Sequence, residues 1–197
     1  MSTLRNEQSG RLKGLRVAIV ATEGFEQAEL FKPKEALEAA GAKVDVIAPK
    51  AGIKSGKIKG WNMTDWGDSI KADVELSQAK EGNYDALVLP GGVMSPDKLR
   101  MDADAVSFIK SFVNNNKPIA AICHGPWTLI EADAVKGRTM TSWPSLQTDL
   151  KNAGAHWVDK EVVEDNGLIT SRKPDDLPAF NQAAIELFSK KAHRAAA

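Results

Sequence analysis

Residues 84–92 read YDALVLPGG, a nearly continuous apolar run that closes on two glycines. A run of this kind is typical of a strand that is covered on both faces, as the inner strands of a parallel sheet are. Residues 117–127, KPIAAICHGPW, contain a second such run and place Cys123 directly at its end. The two stretches predict a buried parallel sheet with reactive side chains at the carboxyl ends of its strands, where open sheets of this class bind ligands.

Strands and helices alternate along the chain on both sides of these runs. The apolar patterns predict strands at residues 15–21, 43–48, 84–90, 118–122, 138–142, 162–164 and 168–171, and helices at 27–40, around 106–113, at 126–132 and at 178–190. Pro33 lies inside the first helix and should kink it or mark its true start. Residues 50–80 are expected to form irregular short strands. The alternation predicts an α/β sandwich with a mostly parallel sheet.

The composition excludes several classes of protein. The 197 residues carry 26 basic and 26 acidic side chains, so the formal net charge of zero offers no long-range attraction to nucleic acid or anionic lipid. The apolar runs fall far short of the roughly 20 residues that cross a bilayer, the polar first residues lack a secretory pattern, and the single Cys cannot form an internal disulfide. We expect a cytoplasmic protein with one domain at residues 14–190, a flexible tail at 1–13 and a frayed tail at 191–197.

Other motifs with a chemical meaning are missing or incomplete. The sequence has no CxxC and no HExxH motif, so no metal site is expected. Residues 52–57, GIKSGK, lack the spacing of a phosphate-binding loop and are interpreted as an exposed hairpin. Asn166 and Gly167 predict a second tight turn, between two short strands. No organic cofactor is implied by any of these segments.

Cys123 stands at a predicted sharp turn from a strand into a helix. Small residues flank it at Ala121 and Gly125, as they flank the nucleophile in the elbow of hydrolases. The unpaired N–H groups at the start of a helix favour thiolate over thiol, so Cys123 is expected to be unusually acidic. The alternative is a small buried apolar side chain without a function. Whether the His124 side chain takes part is left open, because adjacent side chains at a turn diverge.

Several motifs in order resemble the PfpI intracellular protease group of the ThiJ/PfpI superfamily. The resemblance spans about residues 15–189 and rests on GFEQAEL (24–30), YDALVLPGG (84–92), KPIAAICHGPW (117–127), SWPSLQTDLKNAGAHWVDKEVV (142–163) and TSRKPDDLPAF (170–180). It implies a flavodoxin-like three-layer sandwich with a mostly parallel central sheet and with Cys123 as the nucleophile. It also implies a homodimer or a larger homo-oligomer.

The resemblance places an acidic side chain of GFEQAEL beside the thiol. Glu29 matches that acid, and Glu26 is its neighbour in the pocket. An ionised carboxylate next to the sulfur would raise the pKa of the thiol, so the acid must be protonated and donate a hydrogen bond if it is to stabilise a thiolate. The alternative is a solvated first turn of a helix, where acidic residues are favoured in any case.

The resemblance also assigns roles around the Gly91-Gly92 turn. In the family the counterpart of His124 pairs with an acid from a neighbouring subunit, and Asp97 stands at that position, where the family has Glu and a loop one residue shorter. The alternative for Asp97 is a turn or helix-capping residue. The N–H groups of Gly92 and His124 match an oxyanion hole. The same match puts Gly91 in the pocket and Trp143 over it as an aromatic.

The expected function is that of a cysteine-dependent stress-response enzyme in which a thiolate attacks a carbonyl carbon. One substrate class is methylglyoxal or its protein adducts, as in a glyoxalase or deglycase, and the other is peptides, as in an intracellular cysteine peptidase. Isomerising an aldehyde needs the thiolate and one acid–base group, whereas cleaving an amide depends more on His124, so the aldehyde reaction is slightly favoured. The alternative is a non-enzymatic redox sensor or holdase-like protein with an oxidisable Cys123.

Overall fold

The structure is a computed structural model that describes residues 10–195, and the side chains of residues 10–190. Most of the predicted N-terminal tail (residues 1–9) and the end of the C-terminal tail (196–197) lie outside the described residues. Leu12 is completely buried, and its N–H donates to the carbonyl of Ala40. Leu12, which lies in the segment expected to be a flexible tail, therefore packs against the domain.

The described chain contains twelve strands and six α-helices. The strands are β1 (Arg16–Val20), β2 (Phe25–Glu26), β3 (Lys43–Ala48), β4 (Lys57–Asn62), β5 (Asp65–Lys71), β6 (Val74–Glu75), β7 (Ala86–Leu89), β8 (Ile119–Ile122), β9 (Thr139–Met140), β10 (His156–Trp157), β11 (Val162–Asp165) and β12 (Leu168–Ser171). The helices are α1 (Gln27–Ala39), α2 (Met94–Met101), α3 (Ala103–Asn114), α4 (Pro126–Glu131), α5 (Gln147–Asn152) and α6 (Leu177–Ala195).

The central sheet has seven strands in the order β11-β12-β8-β7-β1-β3-β6. Every neighbouring pair is parallel except β11 and β12, which form an antiparallel hairpin through Asn166 and Gly167. The predicted mostly parallel sheet and the predicted turn are therefore confirmed.

Two apolar layers cover the two faces of the sheet. Alternate residues of β1 show this arrangement, because Val17 and Ile19 belong to the cluster on one face and Ala18 and Val20 to the cluster on the other. The first cluster includes apolar residues of α1 and α6, and the second includes those of α3 and α4. Burial on both faces explains why the inner strands β7 and β8 are continuously apolar, and it confirms the predicted three-layer sandwich.

A second, smaller sheet occupies part of the segment expected to form irregular short strands. β4 and β5 form an antiparallel hairpin, and β4 also pairs with the two-residue β2. At the other end of β4, Lys54 and Lys57 exchange backbone hydrogen bonds of 2.8 and 3.0 Å around a two-residue turn. The exposed hairpin expected at residues 52–57 is thus present at 54–57, whereas Gly52 is buried at the end of a 3-10 turn. Helix α1 begins at Gln27 and continues through Pro33, so Pro33 does not mark its start.

The topology brings the ends of several strands to one edge of the sheet. Connections run outward from β1 toward β3 on one side and from β7 toward β8 on the other, so the border between β1 and β7 is the switch point where ligand crevices form. The start of α1, the Gly91-Gly92 turn and Cys123 follow β1, β7 and β8 at this edge. Within residues 10–195, no helix is long and apolar enough to cross a membrane.

Candidate active site

Cys123 sits in a strained turn between β8 and α4. Its φ of 61° lies in the left-handed region, which costs a residue with a side chain about 1 kcal/mol or more. Two backbone hydrogen bonds of 3.0 Å hold the turn: the N–H of Cys123 donates to the carbonyl of Ser171, and its carbonyl accepts from the N–H of Trp143. The predicted elbow is therefore present, with the cysteine fastened between the end of β12 and the loop after β9.

Gly91 is the point where the parts of the site meet. A Cβ atom at this position would lie 2.5 Å from Oε2 of Glu29, 2.6 Å from Cβ of Cys123 and 2.9 Å from the backbone nitrogen of His124. Gly92 follows with a φ of 80°, and its N–H, like that of His124, faces the sulfur of Cys123. The absence of a side chain at Gly91 lets the acid, the thiol and these donors share one small space.

Glu29 is a completely buried acid in the first turn of α1. Its Oε2 accepts a 2.9 Å hydrogen bond from the N–H of Gly91, its carboxyl group interacts with the Cys123 thiol, and Oε1 has no hydrogen-bond partner in the described part of the chain. Burial, together with the charge of Glu26, raises the pKa of Glu29 to about 8. Glu29 therefore carries a proton at neutral pH. The alternative of a solvated first helical turn is wrong for Glu29, because its side chain is buried.

Glu29 should make the protein less stable as the pH rises. Its pKa in the folded state is about 8, against 4.5 for an ordinary glutamate, so the folded state holds an extra proton between these values. The contribution of this proton to the free energy of unfolding is fully present below the ordinary pKa of glutamate. It is lost as the pH rises through the folded-state pKa, at up to about 1.4 kcal/mol for each pH unit. Urea unfolding should show Glu29→Gln gaining stability relative to the wild type across this range. A constant difference would mean that Glu29 titrates alike in both states.

The thiol itself is less acidic than the sequence predicts. Burial is the largest cause that raises the pKa of Cys123, and the Glu29 carboxylate raises it further, while the N–H groups of Gly92 and His124 lower it. The prediction of an unusually acidic thiol is therefore wrong for this closed site, because only 6% of the residue is exposed and desolvation outweighs the start of a short helix. Protonation of Glu29 removes the opposing charge.

His124 is buried beside the thiol and is neutral. Its Nδ1 lies 3.1 Å from Sγ of Cys123, so the adjacent side chains do meet, and its Nε2 lies 3.5 Å from Oγ of Ser145. Burial lowers the pKa of His124 to about 4. The ring stacks on Trp143, with 6.1 Å between centroids, and Trp143 is 39% exposed. Trp143 thus covers the side chain of His124.

The remaining predicted residues, Glu26 and Asp97, differ in burial. Glu26 is the N-cap residue of α1, its N–H donates to the carbonyl of Gly91 at 3.1 Å, and burial raises its pKa. Asp97 is an exposed residue in the first turn of α2. Among residues 10–190, the structure records no hydrogen bond or ion pair between an acidic side chain and His124. A pairing of Asp97 with His124 inside one chain is therefore not seen.

Three residues of the site were missed by the sequence reasoning. Ser171 accepts from the backbone of Cys123, Ser145 faces Nε2 of His124, and Trp127 packs against the His124 ring at 5.0 Å. Ser171 is the last residue of a strand that the sequence predicts. Its place at the end of that strand could therefore be predicted, but its hydrogen bond with Cys123 could not. Within the described residues, no group of three or more His, Cys, Asp or Glu side chains could hold a metal ion.

A comparison with protein families matches residues 15–187 to the DJ-1/PfpI family. The chain belongs to the DJ-1/PfpI family. This membership confirms the resemblance.

Relatives of this DJ-1/PfpI chain include uncharacterised proteins of Staphylococcus epidermidis and Staphylococcus aureus. Each is 44% identical over 173 residues, which is 87% of this chain and 96% of the relative. Among solved structures, Drosophila melanogaster DJ-1beta is 29% identical with a TM-score of 0.78, over 91% of this chain and 94% of that one. A two-domain Anabaena variabilis protein with DJ-1/ThiJ/PfpI-like and ferritin-like domains is 36% identical with a TM-score of 0.80, over 87% of this chain and 47% of that one. The chain thus spans about half of that protein.

Proposed function

We propose that this protein is a cysteine-dependent enzyme for reactive carbonyl compounds, which converts methylglyoxal to lactate without glutathione and acts on its protein adducts once the protein amine or thiol has left the aldehyde carbon. The observation that carries the proposal is the environment of Glu29. This acid is completely buried, bonds to the Gly91 N–H with one oxygen and interacts with the Cys123 thiol. A protonated carboxyl group at a nucleophilic sulfur is the single acid–base group that an aldehyde isomerisation needs.

The reaction can be written with these groups alone. The Cys123 thiolate adds to the aldehyde carbon, a C–S bond forms, and a proton taken up by the former carbonyl oxygen gives a hemithioacetal. Glu29, ionised by giving its proton to that oxygen, takes the proton from that carbon and returns it to the neighbouring carbon. The hydroxyl proton moves to the neighbouring carbonyl oxygen, which leaves a thioester of lactate. Water then hydrolyses the thioester and restores the thiol, so the net change is the addition of one water molecule.

The backbone around the sulfur suits the oxyanion that forms in the addition and hydrolysis steps. The N–H groups of Gly92 and His124 both face Sγ of Cys123. A carbonyl oxygen bound next to the sulfur would meet these donors, which are held in place before the reaction begins. Fixed donors in a water-poor site stabilise developing negative charge without the cost of reorganising solvent.

His124 favours carbonyl isomerisation over peptide cleavage. An amide leaving group must be protonated, and in the family resemblance that task belongs to a histidine paired with an acid. Here the pKa of His124 is lowered to about 4, whereas that of Glu29 is raised to about 8 and lies much closer to the pKa of a thiol. Glu29 is therefore the better proton carrier, and an intracellular cysteine peptidase is the second candidate.

The test is the formation of lactate from methylglyoxal by the purified protein in the absence of glutathione. Lactate produced in proportion to enzyme concentration supports the proposal. Loss of methylglyoxal without lactate would indicate stoichiometric trapping by the protein, and it would contradict an enzymatic role. A protein that makes no lactate but cleaves peptides would move the function to the second candidate. Peroxide oxidation of Cys123 without either activity would favour the redox sensor.

A homo-oligomer is part of the proposal, because the resemblance places the acidic partner of His124 on a neighbouring subunit. Light scattering after size exclusion should show at least a dimer. If Asp97 reaches across the contact, Asp97→Asn should lower turnover about tenfold, whereas Asp104→Asn, another exposed acid in a first helical turn, should not change it. A monomer with full activity would exclude Asp97 from the reaction.

A further inference from the structure

The imidazole of His124 makes one close polar contact, with Nδ1 3.1 Å from Sγ of Cys123, and its other neighbours hold it mainly by packing. Its contact with Ser145 is 3.5 Å long, at the outer limit for a hydrogen bond between a ring nitrogen and a hydroxyl. Two indole rings flank the imidazole: Trp127 lies edge to face at 5.0 Å and Trp143 is stacked at 6.1 Å. The nearer ring belongs to Trp127, and Trp143 is partly exposed. Trp127 is therefore the closer of the two rings that can hold the imidazole against the sulfur.

Trp127 is itself fixed by two charged neighbours. Its indole Nε1 donates a 2.9 Å hydrogen bond to Oδ2 of Asp149, which lies on α5. The guanidinium of Arg100 lies over its ring, 5.4 Å from the centroid, and donates bonds of 2.6 and 3.0 Å to Glu131. The cation on the ring face and the anion at the ring nitrogen together favour one position of the indole.

We propose that Trp127, anchored by Asp149 and Arg100, is a positioning residue that keeps the His124 imidazole against the Cys123 sulfur. The proposal rests on the proposed role of Cys123 as the nucleophile, but it does not depend on which carbonyl compound is the substrate. Besides the contact with the sulfur itself, the other contacts recorded for His124 within the described part of the chain are the 3.5 Å one with Ser145 and the stacking on the partly exposed Trp143.

The contact between His124 and Cys123 gives this positioning a chemical effect. When the neutral imidazole carries its proton on Nδ1, it donates to the sulfur at 3.1 Å and stabilises the thiolate. The groups that face His124 are the Cys123 thiol, the Ser145 hydroxyl and the two indoles, while Asp149, Arg100 and Glu131 act from behind Trp127. A ring that turns away from the sulfur leaves the thiolate with one donor fewer, and the apparent pKa of the thiol rises.

The experiment measures how fast iodoacetamide alkylates the protein as a function of pH. Cys123 is the only cysteine in the chain, so the alkylation rate reports on this sulfur alone. Asp149 is exposed, and Asp149→Ala removes the anchor of Trp127 without opening the core. We expect this variant to react about tenfold more slowly at neutral pH and its midpoint to move up by about one pH unit, as expected for the loss of one hydrogen bond to a charged sulfur.

Three further variants separate positioning from a general structural effect. Asp149→Asn keeps an acceptor oxygen for the indole and should react like the wild type, while Trp127→Phe should slow alkylation at least as much as Asp149→Ala. Asp133→Asn, at another exposed acid, should change nothing. Unchanged alkylation in Asp149→Ala, or an equal loss in both Asp149 variants, would overturn the proposal. The expected pattern in a protein that makes no lactate would support it while contradicting the proposed function.

Discussion

Replacing Cys123 with alanine should abolish lactate formation from methylglyoxal, with a loss of at least about a thousandfold in kcat. The proposed reaction passes through a bond between the sulfur and the aldehyde carbon, and alanine offers no atom that can form it. Alanine meets the same left-handed backbone strain at this position as cysteine does, so the elbow should keep its shape. Lactate measured by an enzyme-coupled assay gives the rate, and thermal unfolding shows whether the variant is folded.

Alkylation provides a chemical control for this substitution. Iodoacetamide modifies the single cysteine of the wild type and should remove activity to the same extent as the alanine variant. The two results together would exclude a merely local disturbance of the fold as the cause. Lactate formation that survives in either protein would place the reacting group elsewhere and would end the assignment of Cys123 as the nucleophile.

Glu29→Gln should lower the rate of lactate formation by about a hundred- to a thousandfold. Glutamine has almost the same shape as glutamate, and its carbonyl oxygen still accepts from the N–H of Gly91, as Oε2 does at 2.9 Å in the wild type. Its amide cannot carry the proton between the two carbon atoms of the substrate. Steady-state rates of the two proteins at several pH values test this. Glu35→Gln, on the exposed side of the same helix, should keep wild-type activity and is the matched control.

The same variant separates an enzyme from a redox sensor. Oxidation of Cys123 by peroxide needs the thiolate but no proton transfer between carbon atoms, so Glu29→Gln should change the oxidation rate only several-fold. Mass spectrometry of the cysteine-containing peptide measures that rate. Equal and mild effects on lactate formation and on oxidation would contradict the enzymatic proposal and favour the sensor.

The fold could be predicted because its central strands are buried on both faces. The runs that become β7 and β8 are continuously apolar, as is β1 after Arg16, and such runs between turn residues are typical of a covered parallel sheet. The two-residue β2 and the helix α2 were not predicted. A strand of two residues has no period to detect, and Pro96 interrupts the pattern of α2 near its start. Both elements are held by neighbours that are distant in the sequence.

The sequence predicts some features of the candidate site and not others, and the difference has a physical reason. The motif around Cys123 and its match to Glu29 depend on local residue types, which a sequence displays. The pKa of the thiol depends on burial and on the charge of Glu29, which only the folded chain determines, and the local argument from the helix start was therefore wrong. The contacts of Trp127 with Asp149 and His124 likewise join separate segments.

Gly91 also bears on how this chain could diverge over evolutionary time. Any side chain at this position would displace Glu29, Cys123 or the backbone of His124, since a Cβ atom would lie within 2.9 Å of all three. A descendant that acquires alanine there loses the shared space in one mutational step, and selection can then no longer maintain the three residues as a set. Among duplicated copies of this chain, those with glycine at residue 91 should therefore retain the chemistry, and those with another residue should be free to adopt another role.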